Sequence, residues 1–252
     1  GQADPHQAAA FYRQALADAE EADDRLDLGL ARLGLARLAY ERNELADAAA
    51  GAQAASELGR AGAGLQLQVR GALLLARVLR AQGEVQEAHD QVAAALGLAR
   101  TQQDGLYREA LAVQARLQLA DGRLEAVERW AADYATFEPP PSQLQQEQEA
   151  LILARLHIAQ GDAATALELL GQLLNAAQAD GRHRSVLEIQ LLTALALAAQ
   201  GQSAAATEAL RQTLGPARAA GYRRLFLDEG PALAALLRAL RPQLQTAKTS
   251  PR

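Results

Sequence analysis

The sequence lacks cysteine altogether and has few aromatic residues: one tryptophan, five tyrosines and three phenylalanines among 252 residues. Without cysteine the chain has neither disulfides nor thiolate metal sites. It also lacks a signal peptide and any apolar run long enough to cross a bilayer, so we expect a cytoplasmic protein that does not contact membranes. Because β-branched residues are scarce and the apolar residues are mainly alanine and leucine, the predicted fold class is all-α.

The motifs that usually carry chemistry are missing as well. Lys248 is the only lysine and lies near the C-terminus, which excludes the lysine of a phosphate-binding P-loop. No serine stands in a G-x-S-x-G sequence, and no two of the four histidines have the spacing of zinc ligands. The net charge of -5 argues against a general nucleic-acid-binding surface. We therefore expect a binding protein and not an enzyme, with no cofactor and no metal.

The chain does contain a repeat. A phrase of the form L-A-R-x-x-x-A-x-G recurs as LLLARVLRAQG and LILARLHIAQG, with weaker copies AVQARLQLADG and LTALALAAQG and an earlier copy LARLAYERN. The copies end 39 or 40 residues apart, on residue types that tolerate the left-handed conformation of a helix end. These residues are Asn43, Gly83, Gly122, Gly161 and Gly201. Such regular spacing indicates a solenoid of helix pairs.

Small residues mark the place where the two helices of each pair cross. Five residues after each turn stand Ala48, Ala88, Val127, Ala166 and Ala206, and the matching places on the first helices hold Ala36, Ala76, Ala115, Ala154 and Ala194. Alanine on alanine lets the helix axes approach closely, as in tetratricopeptide repeats (TPRs). We predict a right-handed superhelix, an α-solenoid, of about five TPR-like helix pairs with a 39–40 residue period and a C-terminal capping helix.

The pattern also predicts where the helices lie. A lone helix near 5–22 precedes pairs near 25–42 and 44–60, 65–82 and 84–101, 105–121 and 123–137, 142–160 and 162–180, and 184–200 and 202–220. The proline run at 139–141 predicts a stiff turn, or alternatively a hinge or subdomain boundary. Trp130, Tyr134 and Phe137 are expected to fill the core of the third pair. The unpaired first helix suggests that the chain is a piece of a longer solenoid.

Arginines form the best candidate for a binding site. Arg37, Arg77, Arg116 and Arg155, here called the arginine ladder, follow the packing alanine by one residue in four successive repeats. In TPR geometry this position faces the concave groove, where guanidinium groups clamp a carboxylate, a phosphate or an acidic helix. The alternative is that each arginine packs its stem on a neighbouring helix and pairs with a local carboxylate.

Three more residues complete the candidate groove. Tyr40 and Arg80 lie one helical turn beyond the ladder and share its surface, and His157 follows Arg155 by two residues. Arginines beside an aromatic ring suit an amphiphilic ligand such as a sugar, a nucleotide-like metabolite or a peptide. The alternative for Tyr40 and Arg80 is burial in the core of a strongly curved superhelix, and for His157 a packing role.

The segment GYRRLFLDEGPALAALLRAL, residues 221–240, departs from the repeat. It resembles the end of the sensor region in MalT-like regulators of the LuxR type, which has the form G-x-x-R-x-F-x-D-E-G-x-x-x-x-x-L-L. The matching residues are Gly221, Arg224, Phe226, Asp228, Glu229, Gly230, Leu236 and Leu237.

Physical reasoning gives this segment a structural role. Phe226 and Leu227 are expected to dock on the last repeat as a hydrophobic cap. Asp228 or Glu229 is expected to cap a helix that begins near Pro231, since proline is favoured in a first turn.

The resemblance implies a sensor domain of a large ATP-binding activator of the LAL (STAND) type, with a nucleotide-binding module before it and a DNA-binding domain after it. The chain then divides into repeats (1–221), a capping segment (222–242) and a linker (243–252). Implied partners are a small-molecule inducer, sugar-like or anionic, in the groove, and other copies of the protein through self-association. The rival hypothesis is a protein-interaction scaffold that takes a peptide or helix of a partner protein.

Overall fold

The computed structural model describes residues 5–100, 105–134 and 142–246. These residues form thirteen α-helices and no strand, which confirms the all-α class. A π-helical turn, Gly59–Ala63, extends the third helix. The helices are α1 Pro5–Ala22, α2 Arg25–Glu41, α3 Leu45–Leu58, α4 Leu65–Gln82, α5 Val85–Ala99, α6 Gly105–Ala120, α7 Leu124–Tyr134, α8 Gln143–Gln160, α9 Ala163–Ala179, α10 His183–Ala199, α11 Ser203–Ala220, α12 Arg224–Leu227 and α13 Gly230–Thr246.

Helices α2 to α11 form the five predicted pairs, and α1 packs against α2. Each first helix ends where the sequence predicts, because the turn residue adopts a left-handed backbone conformation. The φ angle is 62° at Asn43 and between 73° and 95° at Gly83, Gly122, Gly161 and Gly201. The first helices α2, α4, α6, α8 and α10 also contact one another in succession and so form one continuous face of the solenoid.

The crossing points of the pairs are tightly packed, as predicted. All ten small residues at these places are at most 2 % exposed, including Val127 in the third pair. Trp130 is 8 % exposed, and its ring centroid lies 5.6 Å from that of Tyr134, so this pair does pack the third repeat. Phe137 and the proline run at 139–141 lie outside the described residues.

After α11 the chain leaves the repeat, and one expectation about this part is wrong. Leu227 is 52 % exposed, and Leu225 is the buried leucine that docks on the last repeat together with the partly buried Phe226. Side chains two positions apart on a helix point about 200° away from each other, so α12 buries Leu225 and exposes Leu227. Leu233 and Leu236 of α13 join the same core. Helix α13 continues to Thr246, so residues 243–246 of the predicted linker are helical, and residues 247–252 lie outside the described residues.

The superhelix brings its first pair beside its C-terminal segment, defined here as residues 221–230. The backbone N–H of Arg223 donates to the carbonyl of Glu41 over 2.8 Å. Arg224 Nη1 donates to Asn43 Oδ1 over 3.1 Å. These bonds place the end of α2 against a segment far away in sequence.

Candidate functional site

The arginine ladder lies on the face formed by the first helices, and the C-terminal segment crosses this groove. Asp228 and Glu229, here called the acidic pair, stand between α12 and α13. Three of the four ladder arginines approach these two residues: Arg77, Arg116 and Arg155. A large part of the predicted binding groove is therefore occupied by the chain itself.

Glu229 binds the last two arginines of the ladder. Arg155 Nη2 donates to Glu229 Oε1 over 2.6 Å, and its Nε donates to both carboxylate oxygens over 3.1 and 3.2 Å. Arg116 Nη2 donates to the same Oε1 over 3.2 Å and to the backbone carbonyl of Asp228 over 3.0 Å. The side chains of Arg155 and Glu229 are only 9 % and 7 % exposed, so removal of either partner takes a close counter-charge away from a buried charge.

The ion pairs continue from Arg155 towards the first repeat. Arg155 Nη2 also donates to Glu188 Oε1 over 2.7 Å, and Glu188 Oε2 accepts from Arg184 Nη1 over 2.7 Å. Arg184 Nη2 in turn lies 2.7 Å from Glu41 Oε1. Burial favours a higher pKa for Glu188, but the charges of Arg184 and Arg155 outweigh it and hold the pKa well below its ordinary value. With Glu229 and Arg116 this makes an alternating chain of three glutamates and three arginines, hereafter the ion-pair chain.

Asp228 contacts Tyr40 of the first repeat and Arg77 of the second. The hydroxyl of Tyr40 donates to the two carboxylate oxygens over 2.8 and 3.0 Å, and Arg224 binds the same carboxylate. Arg77 Nη2 lies 3.8 Å from Asp228, and its guanidinium stacks 4.5 Å from the centroid of the Tyr40 ring. Burial, reinforced by the Asp228 carboxylate, raises the pKa of Tyr40, so the phenol remains a hydrogen-bond donor.

The first ladder arginine has different surroundings. Arg37 is exposed, and within the described residues it makes no hydrogen bond and no ion pair. Its cationic neighbours are Arg70, which pairs with Glu109 over 3.0 Å, and Arg77. Water reaches Arg37 along the groove, yet desolvation by the surrounding protein, together with Arg70 and Arg77, lowers its pKa despite the nearby Glu109. This end of the groove therefore carries more positive than negative charge.

Two of the predicted site residues lie away from the acidic pair. Arg80 Nη2 pairs with Asp121 over 2.9 Å and donates to the carbonyl of Ala120, so it links the second repeat to the third. The same Asp121 lies 2.6 Å from His89 on α5. His157 Nδ1 lies 3.5 Å from Asp162 across the turn that follows α8.

The repeat pattern in the sequence did not predict that Asp228 and Glu229 bind the ladder, and it did not single out Arg184 and Glu188 of the fifth repeat. The ladder position of that repeat holds Leu195, so Arg184 and Glu188, which occupy other turns of α10, were not considered. The sequence does contain a usable signal, because the ladder of cations and the adjacent Asp228 and Glu229 carry opposite charges that need partners. The sequence predicts that Asp228 or Glu229 caps α13, whereas the carboxylate of Asp228 binds Tyr40 and that of Glu229 binds Arg155 and Arg116.

A solenoid of TPR-like pairs whose groove is partly filled by its own acidic segment defines a helical-repeat domain. The family model for the MalT-like TPR region matches residues 1–243, so the chain belongs to this family. Membership indicates a regulatory sensing domain. No curated protein matches the chain significantly.

Across the described residues, none of the helices has both the length and the apolarity to span a bilayer.

Proposed function

We propose that this domain is the effector-sensing and self-association part of a cytoplasmic LuxR-type transcriptional activator, and that it binds a small-molecule inducer without catalysing a reaction. The observation that carries the proposal is the contrast within the groove. The acidic pair fills the surroundings of Arg116 and Arg155, whereas Arg37 faces open space as an unpaired cation among the described residues. An inducer in the open part neutralises that charge and displaces no native contact.

Arg77 supports a route from the bound inducer to the rest of the regulator. It lies 3.8 Å from Asp228 and close enough to Arg37 for their charges to interact. A ligand that contacts the open part therefore changes the electrostatic surroundings of the C-terminal segment. That segment leads directly into α13, so its position is a natural output of sensing.

The test is a metabolite screen, sugars first, for thermal stabilisation of the domain. At a hundredfold excess over the dissociation constant, a ligand of the folded state adds about 2.7 kcal/mol to the free energy of unfolding. Each hit is then followed by hydrogen exchange, in which the Arg223 amide, bonded to Glu41, reports on the C-terminal segment. Sedimentation with and without the hit measures self-association. A stabilising hit that changes neither the hydrogen exchange of residues 221–229 nor the oligomeric state contradicts the sensing role.

The rival function, a scaffold for a partner protein, has an observation of its own. Phe11 is 69 % exposed, and Leu26 and Leu30 are 48 % and 45 % exposed, so α1 and α2 offer apolar side chains to solvent. The rival predicts no thermal shift with any metabolite and capture of a protein that is lost with Phe11→Asp. A metabolite hit whose binding is unaffected by this substitution favours the sensor.

A further inference from the structure

The open part of the groove contains a small cavity. Its volume is about 150 Å³, and it lies between α1, α2 and α4. Arg37 and Arg70 line it together with Tyr12, Gln66 and Leu30. The lining therefore combines residues that carry hydrogen-bond donors with apolar residues.

The donors of this cavity are available for a ligand. Arg37 makes no hydrogen bond or ion pair with the described residues. Within the described residues, Arg70 donates a hydrogen bond only from Nε, to Glu109 over 3.0 Å. Its two Nη groups make no hydrogen bond there. A planar guanidinium donates in pairs to carboxylate and phosphate oxygens, and two residues that carry this group line the cavity.

The walls are fixed by close packing. A Cβ atom added at Gly34 would lie 2.5 Å from the ring of Tyr12, so only glycine lets that ring lie against α2. A Cβ atom at Gly29 would lie 2.1 Å from Leu67, which also lines the cavity. Because these contacts leave little room for rearrangement, binding does not require the cavity to form first.

The positive charge around the cavity favours an anionic ligand. The charges of Arg70 and Arg77 both act on Arg37. Glu109 forms a close ion pair with Arg70, whereas Asp228 lies 3.8 Å from Arg77 and also binds Tyr40 and Arg224. The resulting mutual repulsion is relieved by a bound anion. A neutral sugar hydroxyl leaves the repulsion in place.

We propose that the cavity beside Arg37 and Arg70 is an anion subsite that binds the phosphate or carboxylate group of a small effector. Its volume suits a head group with a few carbon atoms, because whole ligand sites are usually about 300–1,000 Å³. The remainder of the effector extends along the groove towards Arg77. This inference rests on the proposed sensing function and adds the chemical class of the ligand and the residues that select it.

The test uses titration calorimetry with inorganic phosphate, glycerol 3-phosphate and succinate, and with glycerol as the neutral counterpart. The variants are Arg37→Gln and Arg70→Gln, and the matched control is Arg218→Gln, an exposed arginine on α11 that carries the same charge change away from the groove. At least one anion is expected to bind the natural chain and the control, while glycerol does not. Each groove variant should weaken binding at least tenfold, the loss of one charge-assisted contact.

Two results overturn the anion subsite. One is that none of the three anions binds, and the other is that the groove variants bind as tightly as Arg218→Gln. If in addition a neutral metabolite stabilises the domain in the thermal screen, the ligand class is wrong and the sensing function stands. If no metabolite of any charge binds, the sensing function fails with it. Circular dichroism confirms that each variant is folded. This is expected because Arg37 has no partner to lose among the described residues and Arg70 loses only its partly exposed pair with Glu109.

Discussion

Arg155 and Arg37 occupy the same position of the repeat, one residue after the packing alanine of α8 and of α2, but their surroundings differ. Arg155 is 9 % exposed and binds both Glu229 and Glu188. Arg37 is exposed, and no described residue pairs with it. The position in the repeat decides which way an arginine points, and the path of the C-terminal segment decides whether it meets a carboxylate. One end of the ladder is therefore tied into the fold, and the other end has no partner among the described residues.

The largest expected effect belongs to the filled end. Glu229→Gln keeps the size of the side chain but removes the negative charge that Arg155 and Arg116 share. We expect the free energy of unfolding to fall by about 3 kcal/mol, because Arg116 loses its carboxylate partner and the buried Arg155 keeps only Glu188. Urea unfolding at pH 7 measures the loss. The control Glu20→Gln, exposed on α1, should change stability by less than about 0.5 kcal/mol. A loss below about 1 kcal/mol for Glu229→Gln means that the segment does not hold the ladder in solution.

A smaller effect, dependent on pH, is expected from Glu188. Its pKa is depressed in the folded protein by Arg184 and Arg155, from an ordinary value of 4.5. A depressed pKa contributes stability that is fully present above the unfolded value and is lost as pH falls towards the folded value. Glu188→Gln should therefore cost about 2 kcal/mol at pH 7, and the difference from the natural chain should shrink below about pH 4.5. Urea unfolding across this range measures it, and a difference that does not depend on pH contradicts the ion-pair chain.

The two ends of the ladder also show which contacts can be predicted from the sequence: those within one repeat, but not those between distant parts of the chain. The turn glycines and packing alanines could be predicted because each acts on its neighbours within one repeat, for example Gly83 at the end of α4 and Ala88 in the next helix. The bond from Tyr40 to Asp228 joins residues that no repeat pattern relates. It depends on the accumulated curvature of five pairs, which brings the first beside the last segment. The error at Leu227 has a local cause, since a motif does not state the side on which a one-turn helix is buried.

The smallest expected effect is the sharpest test of the open end. Arg37→Gln removes no partner within the described residues and relieves repulsion from Arg70 and Arg77, so stability should change by less than about 0.5 kcal/mol, towards stabilisation. The matched control is Arg155→Gln, the same substitution at the same repeat position, which leaves Glu229 and Glu188 without their shared cation and should cost several times more. Thermal and urea unfolding of the two variants, side by side in buffer free of phosphate, measure the contrast. Equal losses would mean that Arg37 also holds the fold together, and the groove would then have no open cation to offer an effector.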